Sequence, residues 1–174
     1  MRPALLLGSG SIMLGMDEWC MDLCDLYARR SKDVSTKLGC VIMAPPPGRQ
    51  LLSAGYNSFV RGINDDVPER QQRPEKYLWM AHAEANAIWN ACRSGVRLAG
   101  GVIYCQWLPC PTCAMGIIQV GIKCIVVRTF DVPPRWQGDM RVAVTMLHEA
   151  GVGIRLVGCM TTHHSIILEQ LSRA

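Results

Sequence analysis

Short apolar runs of strand length alternate along this chain with longer stretches of helical periodicity, and a chain patterned this way has few means of burying both kinds of element. Runs at 38–44, 50–56, 102–106, 123–128 and 152–157 read as strands. Between and around them, 19–28, 83–93, 111–120 and 140–150 read as helices, the first through Trp19, Leu23, Leu26 and Tyr27. Asp17 stands where an N-cap is expected, and 163–171 reads as a last helix. Pro45-Pro46-Pro47-Gly48 imposes a turn that makes the first two strands a hairpin. The order α-β-β-α-β-α-β-α-β plus a tail predicts an α/β sandwich, a sheet covered by helices. Residues 57–80 are a long polar connection broken by Gly62, Pro68 and Pro74, a length that in a compact domain goes with function or mobility.

The chain has 174 residues, 49% hydrophobic and 18% charged, which fits one ordinary domain and argues against intrinsic disorder. The expected limits are 17–174, with 1–16 as a flexible N-terminal extension. Met1-Arg-Pro-Ala-Leu-Leu-Leu imitates a secretory signal until Gly8, Ser9, Gly10 and Ser11 interrupt it, and Met16 is a candidate start. No run reaches the roughly 20 apolar residues of a membrane span. The net charge of +4 suits a small anionic substrate and falls short of the basic stripe of a dedicated nucleic-acid binder. Nine cysteines is a high and odd count, and several lie inside apolar runs, as Cys105 and Cys124 do. They read as reduced, buried thiols in a cytoplasmic protein.

Two motifs carry chemistry. His82-Ala83-Glu84 opens one predicted helix and Pro109-Cys110-Pro111-Thr112-Cys113 opens the next. Two thiolates spaced C-x-x-C at a helix N-terminus converge on one ion, and the helix dipole favours their ionised form. The imidazole of His82 supplies a third ligand, and the fourth tetrahedral position stays open for water, as in a catalytic zinc site. Glu84 projects away from His82 and is free to act as general base and then acid. A structural zinc half-site would want a fourth ligand, and none stands at suitable spacing nearby. A redox pair would have no use for His-x-Glu. Jointly the motifs form H-x-E…P-C-x-x-C, the pattern of zinc enzymes that remove an amino group from a base.

Other candidates carry less. Cys20 and Cys24 share a helical face and read as an apolar seam. His163-His164 is an adjacent pair and His148 lacks acidic company, so all three read as non-catalytic. The five tryptophans are scattered and read as core or interface.

Around these motifs, Arg30-Ser31-Lys32-Asp33, Leu38-Gly39-Cys40, Gly55-Tyr56-Asn57, Gly62-Ile63-Asn64-Asp65-Asp66, residues 82–88 and Gly121-Ile122-Lys123 resemble the deoxycytidylate deaminases of the zinc-dependent cytidine deaminase superfamily. The resemblance runs from about Trp19 to Val157. It implies an α/β/α three-layer sandwich with a central five-stranded mixed sheet. It also implies hydrolysis of dCMP to dUMP and ammonia, with zinc held by His82, Cys110 and Cys113 and with Glu84 as the catalytic acid–base. Asn57 is then expected to hydrogen-bond the sugar, and the main-chain amide of Ala83 to hold the base carbonyl. Phe130 stands near the nucleotide where relatives often carry tyrosine. Arg135, Arg30, Lys32 and Arg61 are candidates for the 5′-phosphate. Many relatives are hexamers switched by dCTP and dTTP, so Arg30, Ser31, Lys32 and Arg93 are candidates for an effector nucleotide, with Mg2+ as its companion ion. Some relatives hold a second zinc in the loop after Gly-Tyr-Asn. Asn64-Asp65-Asp66 stands there in this chain, so one zinc per chain is expected. The competing expectations are a deaminase acting on a base inside RNA or DNA, as tRNA adenosine deaminases do, one acting on free cytidine or cytosine, and a non-enzymatic zinc module. No stable nucleic-acid partner is expected.

Overall fold

The computed structural model describes residues 15–172, preceded by the backbone of a short pairing between Leu6–Leu7 and Ser11–Ile12. Of the flexible extension expected over 1–16, Gly15 and Met16 belong to the start of the first helix, and the rest otherwise lies outside the described residues. Five strands form the main sheet: β1 (Gly39–Met43), β2 (Leu51–Tyr56), β3 (Val102–Cys105), β4 (Cys124–Val127) and β5 (Gly153–Leu156). Five helices accompany them: α1 (Met16–Ala28), α2 (Ala83–Arg93), α3 (Pro111–Gln119), α4 (Gln137–Glu149) and α5 (His164–Gln170). The strand order is β2-β1-β3-β4-β5. Strand β1 runs antiparallel to both β2 and β3, while β3, β4 and β5 run parallel to one another. The mixed five-stranded sheet implied by the resemblance is present.

Side chains alternate between two cores because successive residues of a strand point to opposite faces. On one face Val41, Met43, Tyr104 and Val126 meet Cys20, Met21 and Cys24 of α1. Both cysteines are fully buried, so the seam read from their spacing is real. On the other face Cys40, Ile42, Ile103, Cys105, Ile125 and Val127 lie under α2 to α5. These are the three layers. The central strands are buried on both faces, which is why their sequences read as unbroken apolar runs.

Two expectations at helix starts need correction. Asp17 is not an N-cap: Gly15 holds that position and Asp17 lies in the first turn of α1. From there its carboxylate accepts from the Arg155 guanidinium, the Tyr104 hydroxyl and the Gly158 amide, which ties α1 to β5 across the sheet. Helix α4 starts at Gln137, earlier than the apolar periodicity from Met140 indicates, because it continues the turn at Pro134–Trp136. No described helix is long and apolar enough to cross a membrane.

The connection 57–80 is built, not slack. It contains the strand pair Ser58–Phe59 with Met80–Ala81, a turn of 3-10 helix at Pro68–Gln71 and a short helix at Lys76–Trp79. Lys32 pairs with Asp65 at 2.7 Å, and the Arg70 guanidinium stacks on Trp79 at 4.0 Å.

One glycine decides where the chemistry sits. A Cβ on Gly55 of β2 would collide with the main chain of α2 at Ala83 and Ala87. Only hydrogen there lets α2 lie flat on the sheet, with Ala83, Ala87 and Ala91 as its buried face. Gly55→Ala is expected to lower stability by about 1–3 kcal/mol, the usual range for overpacking. It also lifts the first turn of α2, so bound zinc falls together with the urea midpoint.

Candidate metal centre and substrate cleft

Both chemical motifs sit at helix N-termini, as their spacing predicts. His82 is the N-cap residue of α2, with φ −70° and ψ 160°, and Cys110 is the N-cap residue of α3, with φ −69° and ψ 168°. Neither side chain makes a capping hydrogen bond. Pro111 fills the first position of α3, where a missing N–H costs nothing. That places Cys113 one turn in, beside Cys110.

The two helix starts meet. His82 Nδ1 lies 3.3 Å from Cys110 Sγ and 3.6 Å from Cys113 Sγ. All three ligand atoms lie within 4.8 Å of one another, and this is the one such group of three found among the described residues. With Zn–S near ~2.3 Å and Zn–N near ~2.0 Å, tetrahedral angles put nitrogen and sulfur about 3.5 Å apart. The spacing therefore fits a zinc ion without rearrangement. The Cys110 thiol is pulled down to about 4 by its hydrogen bonds with Cys113 and His82, against the opposing effect of burial. The same sulfur pushes His82 up to about 9. Zinc binding needs a neutral imidazole and two thiolates, so it releases the protons this cluster otherwise shares.

Glu84 is the second residue of α2 and is buried, 8% exposed. Burial pushes its carboxyl above the ordinary glutamate value. It lines a cleft together with His82 and Cys110. Ala83 lines it too, at the first position of α2, where a main-chain amide has no partner within its helix. Arg135 and Asn57 are also lining residues. Asn57, however, spends most of its side chain on the protein. Its Oδ1 accepts from the Leu38 amide at 2.8 Å, and its Nδ2 donates to Thr36 O at 2.8 Å and to Asp33 Oδ2 at 3.3 Å.

The remaining candidates lie elsewhere. Phe130 is not among the residues that line the cleft; its ring packs edge-on against His163, centroids 5.6 Å apart. Ser31 is buried and donates to Asn57 O at 2.8 Å, so its hydroxyl is not presented to solvent. Arg30 is exposed and Lys32 is engaged by Asp65. Arg61 donates to Asn90 Oδ1 at 2.6 Å. Arg93 stands in the last turn of α2, the end opposite His82. His163 and His164 bond Cys159 and Val152 O, and with His148 they lie outside the cleft.

The structure adds residues that periodicity did not single out. Asp33, Arg73, Lys76, Tyr77, Trp107 and Trp136 all line the cleft. Four come from the connection before α2 or from the turn before α4, where no repeating pattern marks them. The ring of Tyr77 meets that of Trp136 edge-on at 5.8 Å, joining those two segments.

Residues 15–129 match the family model of the cytidine and deoxycytidylate deaminase zinc-binding region. The chain belongs to that family. The matched region is described as zinc-binding, and the His–Cys–Cys group lying within it has the ligand types and spacing to hold such an ion. The chain is 36% identical over 134 residues to an uncharacterized deaminase of Aliivibrio fischeri, covering 76% of this chain and 86% of that one. It is 35% identical over 114 residues to the deoxycytidylate deaminase of Homo sapiens, covering 63% of this chain. The match spans 62% of the human protein's length, less than two thirds of it. In fold it resembles the dCMP deaminase of cyanophage S-TIM5 in complex with dCMP and dUMP, with a TM-score of 0.66 and 21% identity over 84% of this chain and 99% of that one.

The expected zinc content is one ion per chain after dialysis against buffer. Cys113→Ala removes a ligand and leaves His82 and Cys110 alone, so metal analysis should find it essentially zinc-free. A variant that keeps a full equivalent would place the ion elsewhere.

Proposed function

We propose that this chain hydrolyses dCMP to dUMP and ammonia. The observation that carries the reading is Glu84, buried beside the His82–Cys110–Cys113 triad at the base of a cleft whose lining also brings in Arg73 and Arg135. The family, the deoxycytidylate deaminases among the relatives and the shared fold support it.

When bound, zinc supplies Lewis acidity that brings the pKa of a water from 15.7 towards ~7. The rest falls to the protein. Glu84 removes a proton from the attacking water and passes it to the ring nitrogen, and then carries a second proton to the departing amino group. Its raised proton affinity suits a carboxyl that must hold a proton between those steps. The Ala83 amide, at the positive end of α2, faces the base carbonyl. Asn57 keeps one lone pair on Oδ1 and therefore serves a sugar hydroxyl as an acceptor only. Arg135, with Arg73 as a second cation, binds the 5′-phosphate. The effectors dCTP and dTTP with Mg2+, a hexameric assembly and a cytoplasmic setting belong to the same reading.

A second reading has one specific support. Tyr77, Trp107 and Trp136 stand with those two arginines around the cleft, the aromatic and basic surface that a deaminase of bases in nucleic acid uses. Ammonia release from dCMP, deoxycytidine, dCTP and a short cytosine-containing DNA separates the two. Turnover of dCMP alone supports the nucleotide; turnover of the oligonucleotide alone overturns it.

Two variants test the roles. Glu84→Gln keeps zinc and fold and is expected to lower kcat by about two to four orders of magnitude, the usual yield of general acid–base catalysis. Arg135→Ala should raise KM for dCMP about tenfold or more while leaving deoxycytidine almost unaffected, since only the former carries the phosphate. Equal losses on both substrates would remove Arg135 from that role.

A further inference from the structure

Lys76 is a charged side chain that the proposed chemistry does not use. It opens the short helix Lys76–Trp79 and is nevertheless buried, its side chain 5% exposed. Its Nζ lies 2.6 Å from Asp33 Oδ2 and 2.6 Å from Ser35 Oγ. Asp33 is equally buried, and its Oδ1 accepts from the Ser35 amide at 2.8 Å and the Thr36 amide at 3.1 Å. These bonds, with that from Lys76, hold its carboxyl below the ordinary aspartate value despite the opposing desolvation. A buried ion pair adds little net stability over an apolar pair of the same size, so stability alone is a weak reason for keeping one.

What the pair reaches is Asn57. Asp33 Oδ2 accepts from both Lys76 Nζ and Asn57 Nδ2, so the ammonium and the carboxamide are bound to one oxygen. The carboxamide is then left a single way to face. Nδ2 is held by Asp33 and Thr36, Oδ1 by Leu38, and only the second lone pair of Oδ1 is left to accept from a substrate. Lys76, Asp33 and Asn57 all line the cleft that holds Glu84. Three separate segments meet here: the end of β2, the loop between α1 and β1, and the connection before α2.

We propose that Lys76 is a positioning residue for substrate binding, acting through Asp33 to fix the Asn57 carboxamide as an acceptor facing the cleft. The inference rests on the reading of this cleft as the substrate site, and it commits to binding and not to the chemical step. Loss of Lys76 leaves the Asp33 carboxylate free to draw Nδ2 away from Thr36. The acceptor then loses its fixed direction, while Glu84 and the metal ligands, held by α2 and α3, stay in place.

The test is a double-mutant cycle of Lys76→Met and Asn57→Ala, run on whichever substrate the wild type deaminates. Failure of the dCMP reading would show in the wild type, and failure of this inference would show in the coupling. Each single variant is expected to raise KM about tenfold with kcat within about twofold, and the double variant to be no worse than either single one. Multiplicative losses, or a fall in kcat at unchanged KM, would overturn the proposal. If Lys76→Met does not fold because Asp33 is left as a buried unpaired charge, Asp33→Asn with Lys76→Met takes its place in the cycle. A readout independent of turnover is solvent exchange of the Asn57 side-chain amide protons. It should accelerate in Lys76→Met while the main-chain amide of Asn57, bonded to Leu38 O at 3.0 Å, keeps its protection. Unchanged side-chain exchange would refute the proposal on its own.

Discussion

The rest of this structure depends on the convergence of two helix starts at one end of a sheet. His82 and Cys110 both occupy N-cap positions, where the backbone is extended, and neither makes a side-chain capping bond. An N-cap normally turns its side chain inward to satisfy orphan amides. Here neither does, and both are left for a metal. Two helix dipoles then point their positive ends at the same place, which favours thiolates and any developing negative charge. The requirement propagates into the sheet: α2 must lie close enough for His82 to reach Cys110, and that closeness is why Gly55 admits no side chain.

Around this rigid floor the cleft is completed by less regular pieces. The connection 57–80 brings Arg73, Lys76 and Tyr77, and the turn ahead of α4 brings Arg135 and Trp136. They are joined to each other by Tyr77 against Trp136, and to the body of the molecule by Lys76 on Asp33. The division is physical. The residues proposed to perform chemistry stand at or in the first turns of regular helices, where geometry is held by many main-chain bonds. Those proposed to contact the rest of the substrate stand largely on connections, where changes cost the core little.

That division also explains what was legible beforehand. The central strands of the main sheet were visible because a strand buried on both faces reads as an apolar run, as with Ile125, Val126 and Val127. The His82–Cys110–Cys113 cluster was visible because tetrahedral zinc chemistry demands fixed residue types at fixed spacing. Helix ends were less so: Asp17 resembles a cap by composition, but Arg155, 138 residues away, takes its carboxylate. Phe130 was placed near the nucleotide by analogy with relatives, and its ring is instead turned onto His163. Ser31 stands among basic residues as an effector candidate, yet its hydroxyl is drawn inside by the Asn57 carbonyl. Contacts of this kind join residues with no periodic relation, so no local pattern announces them.

Asn57 shows how much of a candidate's chemistry lies outside the reach of its sequence position. Its position at the end of β2 was enough to place it at the cleft. Only the hydrogen bonds show that both donors and one lone pair are already committed. A carboxamide free to rotate offers a hydroxyl either role and selects little. One held on three sides offers a single acceptor in a single direction, and a substrate group lacking a donor there leaves it unsatisfied. On that proposal, discrimination comes less from the asparagine than from the buried charge pair behind it, whose Lys76 stands in a connection that hydrophobic periodicity leaves blank.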